Sequence, residues 1–425
     1  MKEDIRETRL DNGLVVLTDR MEGVRSATLG FFFRVGSRHE PDELNGISHF
    51  IEHTVFKGTA RRSALDIAIE QDRLGGNLDA FTSHEETGFA IKVIDDQLPK
   101  AFDLIADMLV NPRFDDADLK SEQRVIIEEM KMIDDSPEEM LGDIFNTGFF
   151  PDHPLGMSIA GTPATVRSFD GAVTRKYFRA AFNASNLVIA AAGNVEHSEL
   201  VKLAMAAFVT PEEPAFAGKG ARVPAAAAPF IVKQRADLEQ AHLIIATPFV
   251  TAVDERRYAA DLLANIIGGG TSSRLWQKIR EEHGLAYSVG ASAAIYQDCG
   301  VFSISAGTSP DQVREVIDLS IAEMRDIVKN GVTQYELDLA KQQSRSSILL
   351  SLEDSASRAA ALAQSELVHG RQISVEETLA KIDAVTTAEI HALAREYFQS
   401  DKVAFAALGD ISPTDIDRGT LAISS

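Results

Sequence analysis

A chain of 425 residues exceeds what one hydrophobic core organises, so two or more domains are expected. Its 45% hydrophobic and 25% charged residues are those of an ordinary soluble globular protein, and a net charge of −22 argues against a nucleic-acid binder, which needs a basic face. The single cysteine, Cys299, excludes an intrachain disulfide and a metal site built from thiolates of one chain.

The N-terminal stretch MKEDIRETRLDNG has no apolar core of a signal peptide, and the longest apolar run of interest, Leu187 to Ala192, is far too short to span a bilayer. The expectation is a cytoplasmic protein without membrane contact. Next comes His49-Phe50-Ile51-Glu52-His53. On a helix, histidines spaced i, i+4 share one face and can grip one ion, and Glu52, at i+3 from His49, reaches the same place. Neutral imidazole and carboxylate are good zinc donors. With ten histidines in the chain, this pattern arises by accident in roughly one such chain in fifty. A catalytic zinc site needs a third protein ligand, the fourth position being left to water.

Phe89 to Val93 reads as a strand that leads into an amphipathic helix around Lys100 to Leu109. Leu119 to Met132, LKSEQRVIIEEMKM, reads as a helix carrying Glu122, Glu128 and Glu129. Glu122 and Glu129 are seven apart and share a face, whereas Glu128 points about 100° away. Val125 and Ile126 lie between them and are expected to help dock the helix against the core.

The same plan then recurs. The apolar run Leu187 to Asn194 returns as Val403 to Asp410, and Tyr177-Phe178 returns as Tyr397-Phe398. Phe302 to Ala306 leads into Val313 to Met324 as Phe89 to Val93 leads into its own helix. A repeat this long indicates two similar domains, not a solenoid. Glu213 to Pro229, rich in Pro, Ala and Gly, reads as the linker, which sets the domains at 1–212 and 230–425. The fold class is α+β, with helices packed on one face of a mixed, largely antiparallel sheet in each domain. Gly268-Gly269-Gly270 is not a phosphate loop, because no Lys-Ser/Thr follows it.

HFIEHTVFKGT followed by a helix containing EEM resembles the pitrilysin/insulinase family of zinc metallopeptidases, in particular the mitochondrial processing peptidase and its bacterial relatives. GGNLDAFTSHEET, HPLG and SSRLWQKIREEHGLAYSV extend the resemblance over nearly the whole chain. It implies one zinc ion per chain, held by His49, His53 and Glu129, with Glu52 as the base that activates the water and Glu122 as an accessory glutamate. Glu128 is the alternative ligand that helix phase disfavours. The resemblance also makes the segment of Asn77, Ala80, Phe81 and Thr82 an edge strand that holds an extended peptide by backbone pairing. Arg280 and Tyr287, seven apart, become donors to a substrate carbonyl.

The second half does not repeat the zinc site. Matching Gly58-Thr59 to Gly270-Thr271 puts Asp261 and Asn265 where the first half has His49 and His53, and matching Leu119 to Leu337 puts Ser347 opposite Glu129. The expected activity is hydrolysis of unfolded peptides. A scaffold subunit that has lost catalysis and a zinc-dependent peptide carrier are the alternatives. Family members enclose substrate with two such pairs of domains, so this chain, with one pair, is expected to be a homodimer.

Overall fold

The computed structural model describes residues 3–209, 223–411 and 416–423; positions 213–222 of the expected linker lie outside them. In chain order the first half runs β1 (Ile5–Arg9), β2 (Val15–Arg20), β3 (Ser26–Phe33), α1 (Ile47–Thr54), α2 (Ala64–Leu74), β4 (Leu78–Thr82), β5 (Thr87–Ile94), α3 (Leu98–Val110) and α4 (Asp116–Asp134). There follow α5 (Pro137–Phe149), α6 (Pro163–Ser168), α7 (Gly171–Ala181), β6 (Leu187–Gly193) and α8 (His197–Ala207). The second half runs β7 (Phe230–Gln234), β8 (Ala241–Pro248), α9 (Arg257–Gly268), β9 (Ala286–Ile295), β10 (Gly300–Thr308) and α10 (Val313–Asn330). It closes with α11 (Gln334–Ser351), α12 (Ser355–His369), α13 (Val375–Ala384), α14 (Thr387–Tyr397) and β11 (Ala404–Gly409). Among the described residues no helix is long and apolar enough to cross a membrane.

The chain folds into two compact units, each α+β. The first sheet has the order β1-β2-β6-β3-β5-β4 and the second β7-β11-β8-β10-β9. Without β1 the two orders correspond strand for strand. Each begins with one parallel pair, β2 with β6 and β7 with β11, and continues antiparallel. The repeated runs at Leu187 and Val403 are the equivalent strands β6 and β11, and those at Phe89 and Phe302 are β5 and β10.

The units are not contiguous in sequence. Met132–Gly156, which contains α5, belongs to the second unit, and Leu349–Ser374, which contains α12, belongs to the first. Strand β6, LVIAAAG, is buried at all seven positions, so both of its faces need cover. Its Ile189 and Ala191 pack into the core formed with the unit's own helices, and its Val188 and Ala190 pack with Val15, Leu17, Leu362 and Ala363. The last two lie on α12. In the second unit α5 does the same with Leu141, Phe145 and Phe149 against Ala404, Ala406 and Leu408 of β11. The sheets are thus covered on both faces, where the sequence reading put helices on one; the continuous apolar character of β6 and β11 is the reason.

Helix α12 is also fixed by charge. Arg358 Nη1 donates to Asp19 Oδ2 of β2 at 2.6 Å, with both side chains nearly inaccessible. Arg9 and Arg34 both reach the buried Glu366. A buried guanidinium stripped of its carboxylate has no solvent to replace it. Asp19→Ala should therefore destabilise the first unit by about 3–5 kcal/mol, visible as a lower urea midpoint by circular dichroism.

Candidate metal centre

Helix α1 has only eight residues, too short to hold itself together, so its stability comes from packing and from its N-terminus. Ile47, Phe50 and Ile51 are fully buried, and the Phe50 ring meets Phe169 with centroids 5.3 Å apart. The N-cap residue is Gly46, at φ 95°, where a Cβ would come 2.5 Å from the Ala160 carbonyl oxygen. Glycine has no side chain to cap with, and Glu40 supplies the missing acceptor. Its Oε2 accepts from Gly46 N at 2.7 Å and its Oε1 from Ser48 N at 2.8 Å. Burial pushes the Glu40 carboxyl up to about 7 against these hydrogen bonds.

With the apolar residues of α1 turned inward, His49, Glu52 and His53 share the opposite face. Their rings bring His49 and His53 to a centroid separation of 4.7 Å. Helix α4 lies alongside, with Leu119, Glu122 and Ile126 buried, and Glu129 falls one face-repeat beyond Glu122. Val125, expected with Ile126 to dock this helix, is exposed, so of the two only Ile126 has that role. Glu129 Oε2 is 3.4 Å from His53 Nε2, and Glu129 Oε1 is 3.8 Å from His49 Nε2. Glu128 turns away into solvent and pairs with Lys131 at 2.7 Å.

His49, His53 and Glu129 each offer a ligand atom within 4.8 Å of the others. Ligands on a tetrahedral zinc ion with bonds of about 2.1 Å stand about 3.4 Å apart, so this donor set fits that ion. Two buried atoms here, His49 Nδ1 and Glu129 Oε2, have no hydrogen-bond partner. Burial, followed by the neighbouring His53, lowers the His49 pKa to about 4, which keeps its imidazole neutral and its lone pair free at neutral pH. For His53 burial also opposes the charged form, but the hydrogen bond to Glu122 and the charges of Glu129 and Glu52 outweigh it and raise the pKa.

Two further contacts order the site. Glu122 Oε2 lies 3.4 Å from His53 Nδ1, and its other oxygen pairs with Lys57 Nζ at 2.6 Å. A carboxylate on the far nitrogen of a ligating histidine fixes the ring and leaves the near nitrogen as donor. Glu52 is raised above the usual carboxylate range by burial, and its Oε2 accepts from Thr82 Oγ1 at 2.7 Å. Thr82 ends β4, the edge of the first sheet, to whose outer side no described strand pairs. Ala80 is half-buried and Phe81 exposed on this strand, and Asn77 immediately precedes it.

Arg280 and Tyr287 lie in the second unit and are brought together. Arg280 Nη1 donates to the Tyr287 carbonyl at 2.9 Å, and its guanidinium stacks over the Trp276 and Tyr287 rings, 4.1 and 4.6 Å from their centroids. Trp276–Glu282 is a π-helix, and Tyr287 is 78% exposed. Sequence reasoning missed Glu40 and Lys57. The only signals were a glycine where α1 needs a cap and a lysine four residues after His53.

The chain thus carries, in the first of its two α+β units, a His-His-Glu cluster that could hold a metal ion. A family model described as Insulinase (Peptidase family M16) matches residues 15–163, and one described as Peptidase M16 inactive domain matches 168–344. A protein of Streptomyces coelicolor named an uncharacterized zinc protease is 38% identical over 398 residues, 92% of this chain and 87% of that one. A Bacillus subtilis protein of the same description is 35% identical over 410 residues, 96% of this chain and 98% of that one. The crystal structure of a protease from Helicobacter pylori superposes with a TM-score of 0.88 at 22% identity, covering 96% of this chain and 100% of that one. The chain belongs to peptidase family M16, the insulinase family.

The buried cap gives the fold a pH signature. The folded pKa of Glu40, about 7, lies above its ordinary 4.5, so the native state holds this proton more tightly than the unfolded chain. The stability linked to it is fully present below about pH 4.5 and is lost as pH rises through about 7, up to about 3 kcal/mol. In Glu40→Gln that decline should vanish, so the difference in urea midpoint between wild type and variant should change between pH 5 and pH 8.

Proposed function

We propose that this chain is a zinc-dependent endopeptidase that hydrolyses unfolded peptides bound in extended form. The observation that carries the reading is the convergence of His49, His53 and Glu129 within 4.8 Å, beside a Glu52 held by Thr82. The relatives named zinc proteases support it. His49, His53 and Glu129 would hold one zinc ion, which when bound polarises the scissile carbonyl and makes water more acidic.

The chain's own groups do the rest. Glu52, with Oε2 fixed by the Thr82 hydroxyl, takes the proton of the attacking water and passes it to the leaving amine. Its raised pKa brings it nearer the pH at which it must both accept and return that proton. Glu122, tied to Lys57, holds the His53 ring. The free edge of β4, with Asn77, Ala80, Phe81 and Thr82, pairs with the peptide backbone, which reads main chain more than sequence. Arg280 and Tyr287 offer a guanidinium and a phenol as donors to substrate carbonyls.

Glu52→Gln keeps the shape of the side chain but cannot take a proton. It should lower hydrolysis of a mixed peptide library by a factor of about 10² or more while bound zinc stays at one per chain. Glu129→Gln should lose zinc on dialysis, whereas Glu128→Gln should keep it. Turnover at the wild-type rate in Glu52→Gln would sink the assignment. Zinc binding without any cleavage product in the wild type would favour a peptide carrier.

The family resemblance also supports a homodimer in which Arg280 and Tyr287 of one subunit serve the zinc site of the other. Mixing Glu52→Gln chains with Arg280→Ala chains then leaves one intact site in each hybrid. Random pairing should restore roughly a quarter of wild-type activity. No recovery in demonstrably mixed dimers would reject the shared site and leave the zinc assignment standing.

A further inference from the structure

Trp276 is the only tryptophan of the chain, and its ring lies against Arg280, the guanidinium donor of the proposed activity. The contact arises in irregular winding. Trp276–Glu282 is a π-helix, in which each N–H bonds to the carbonyl five residues back, so residues five apart stand one above the other. On an α-helix they would lie about 140° apart. Trp276 and Glu281 use this closeness: the indole Nε1 donates to Glu281 Oε1 at 3.1 Å and so fixes the ring. Gly284, at φ 66°, then ends the helix. Its N–H bonds to the Arg280 carbonyl at 3.1 Å, and the Leu285 N–H bonds to the Ile279 carbonyl at 2.9 Å. The chain turns into β9, which brings Tyr287 beside Arg280.

Arg280 is held by aromatic rings and not by a counter-ion. Its guanidinium carbon is 4.1 Å from the centre of the Trp276 ring and 4.6 Å from that of Tyr287. The two acidic residues that follow it are engaged elsewhere, Glu281 with the indole and Glu282 with Lys278 Nζ at 2.8 Å. Of the five N–H donors in the guanidinium plane, one on Nη1 goes to the Tyr287 carbonyl at 2.9 Å. A bidentate carboxylate would occupy two donors and neutralise the charge. An aromatic face attracts the cation while leaving its donors free. A long side chain loses rotamer freedom when it binds a ligand, and one already ordered by its neighbours loses less.

We propose that Trp276 is a positioning residue: its ring keeps the Arg280 guanidinium ordered and charged, ready to donate to the main-chain carbonyls of an extended peptide. The peptide as acceptor rests on the peptidase reading; the coupling of Trp276 to Arg280 does not.

The test uses full-length Glu52→Gln protein, so that the probe is not hydrolysed. Binding of fluorescein-labelled casein, an unfolded polypeptide, is followed by fluorescence anisotropy. Trp276→Leu, which stays apolar but removes the ring, should weaken binding about fivefold, and Trp276→Phe, which keeps a ring face, about twofold or less. Arg280→Ala weakens binding by itself, and Trp276→Leu added to it should bring no further loss. The pair is read separately from the emission of the single tryptophan. Arg280→Ala uncovers the indole and should increase its quenching by acrylamide, a measurement that decides even where Trp276→Leu does not fold. Equal loss from Trp276→Leu with and without Arg280, equal loss from the Leu and Phe variants, or unchanged quenching would overturn the proposal. None of these touches the zinc assignment when the wild-type chain cleaves casein. Binding that depends on Trp276 only through Arg280, without cleavage by the wild-type chain, would keep the positioning role and count against the peptidase reading instead.

Discussion

His53 is held from two sides by one helix. Glu122 reaches its Nδ1 and Glu129 its Nε2, both at 3.4 Å, and the two glutamates are two turns apart on α4. The ring is thereby flanked by one carboxylate and, with the other and His49, forms a cluster that could hold an ion. This works only while α4 lies against α1 in a single register, so the packing of Leu119 and Ile126 on one side and Ile47, Phe50 and Ile51 on the other is a condition of the chemistry. It also depends on α1 existing, and an eight-residue helix led by a glycine exists here because Glu40 closes its N-terminus from outside. Gathering carboxylates and imidazoles in this partly buried cluster costs desolvation, which shows in the raised Glu52 and the lowered His49. A bound cation offsets that cost.

The periodic elements were legible. The histidine spacing falls in the helix Ile47–Thr54, the LKSEQRVIIEEMKM stretch in Asp116–Asp134, and the strand-to-helix units at Phe89 and Phe302 in β5–α3 and β10–α10. These rest on local patterns, 3.6 or 2 residues in period, that need no knowledge of the rest of the chain. Helix phase likewise separated Glu129 from Glu128 before any contact was known, and Glu128 does face solvent. The repeat was legible too, because an apolar run ending in glycine and a turn is a long enough signal to find twice.

What was hidden is what depends on partners distant in sequence. That β6 is buried on both faces could be guessed from LVIAAAG, but nothing in the sequence names α12, some 170 residues later, as the cover. Glu40 and Lys57 look like surface charges until the fold brings one to the backbone of α1 and the other to Glu122. Thr82 was picked for backbone pairing with a peptide, and its side chain turned out to touch Glu52. The repeat alignment placed Asp261, Asn265 and Ser347 opposite His49, His53 and Glu129, yet only the fold shows that they line one groove.

The exchange of α5 and α12 has a consequence for how the chain is made. The first unit draws its last segment, Leu349–Ser374, from near the end of the sequence. On a ribosome, the first sheet emerges with its second face still bare. At about 5–20 residues per second, roughly eight to thirty seconds pass between the appearance of β6, which completes the first sheet, and that of α12. During that interval Val15, Leu17, Val188 and Ala190 offer an apolar surface to whatever is nearby. The nascent chain is a natural client for a holding chaperone, and a cut between the two halves would yield two fragments that each lack a helix the other carries.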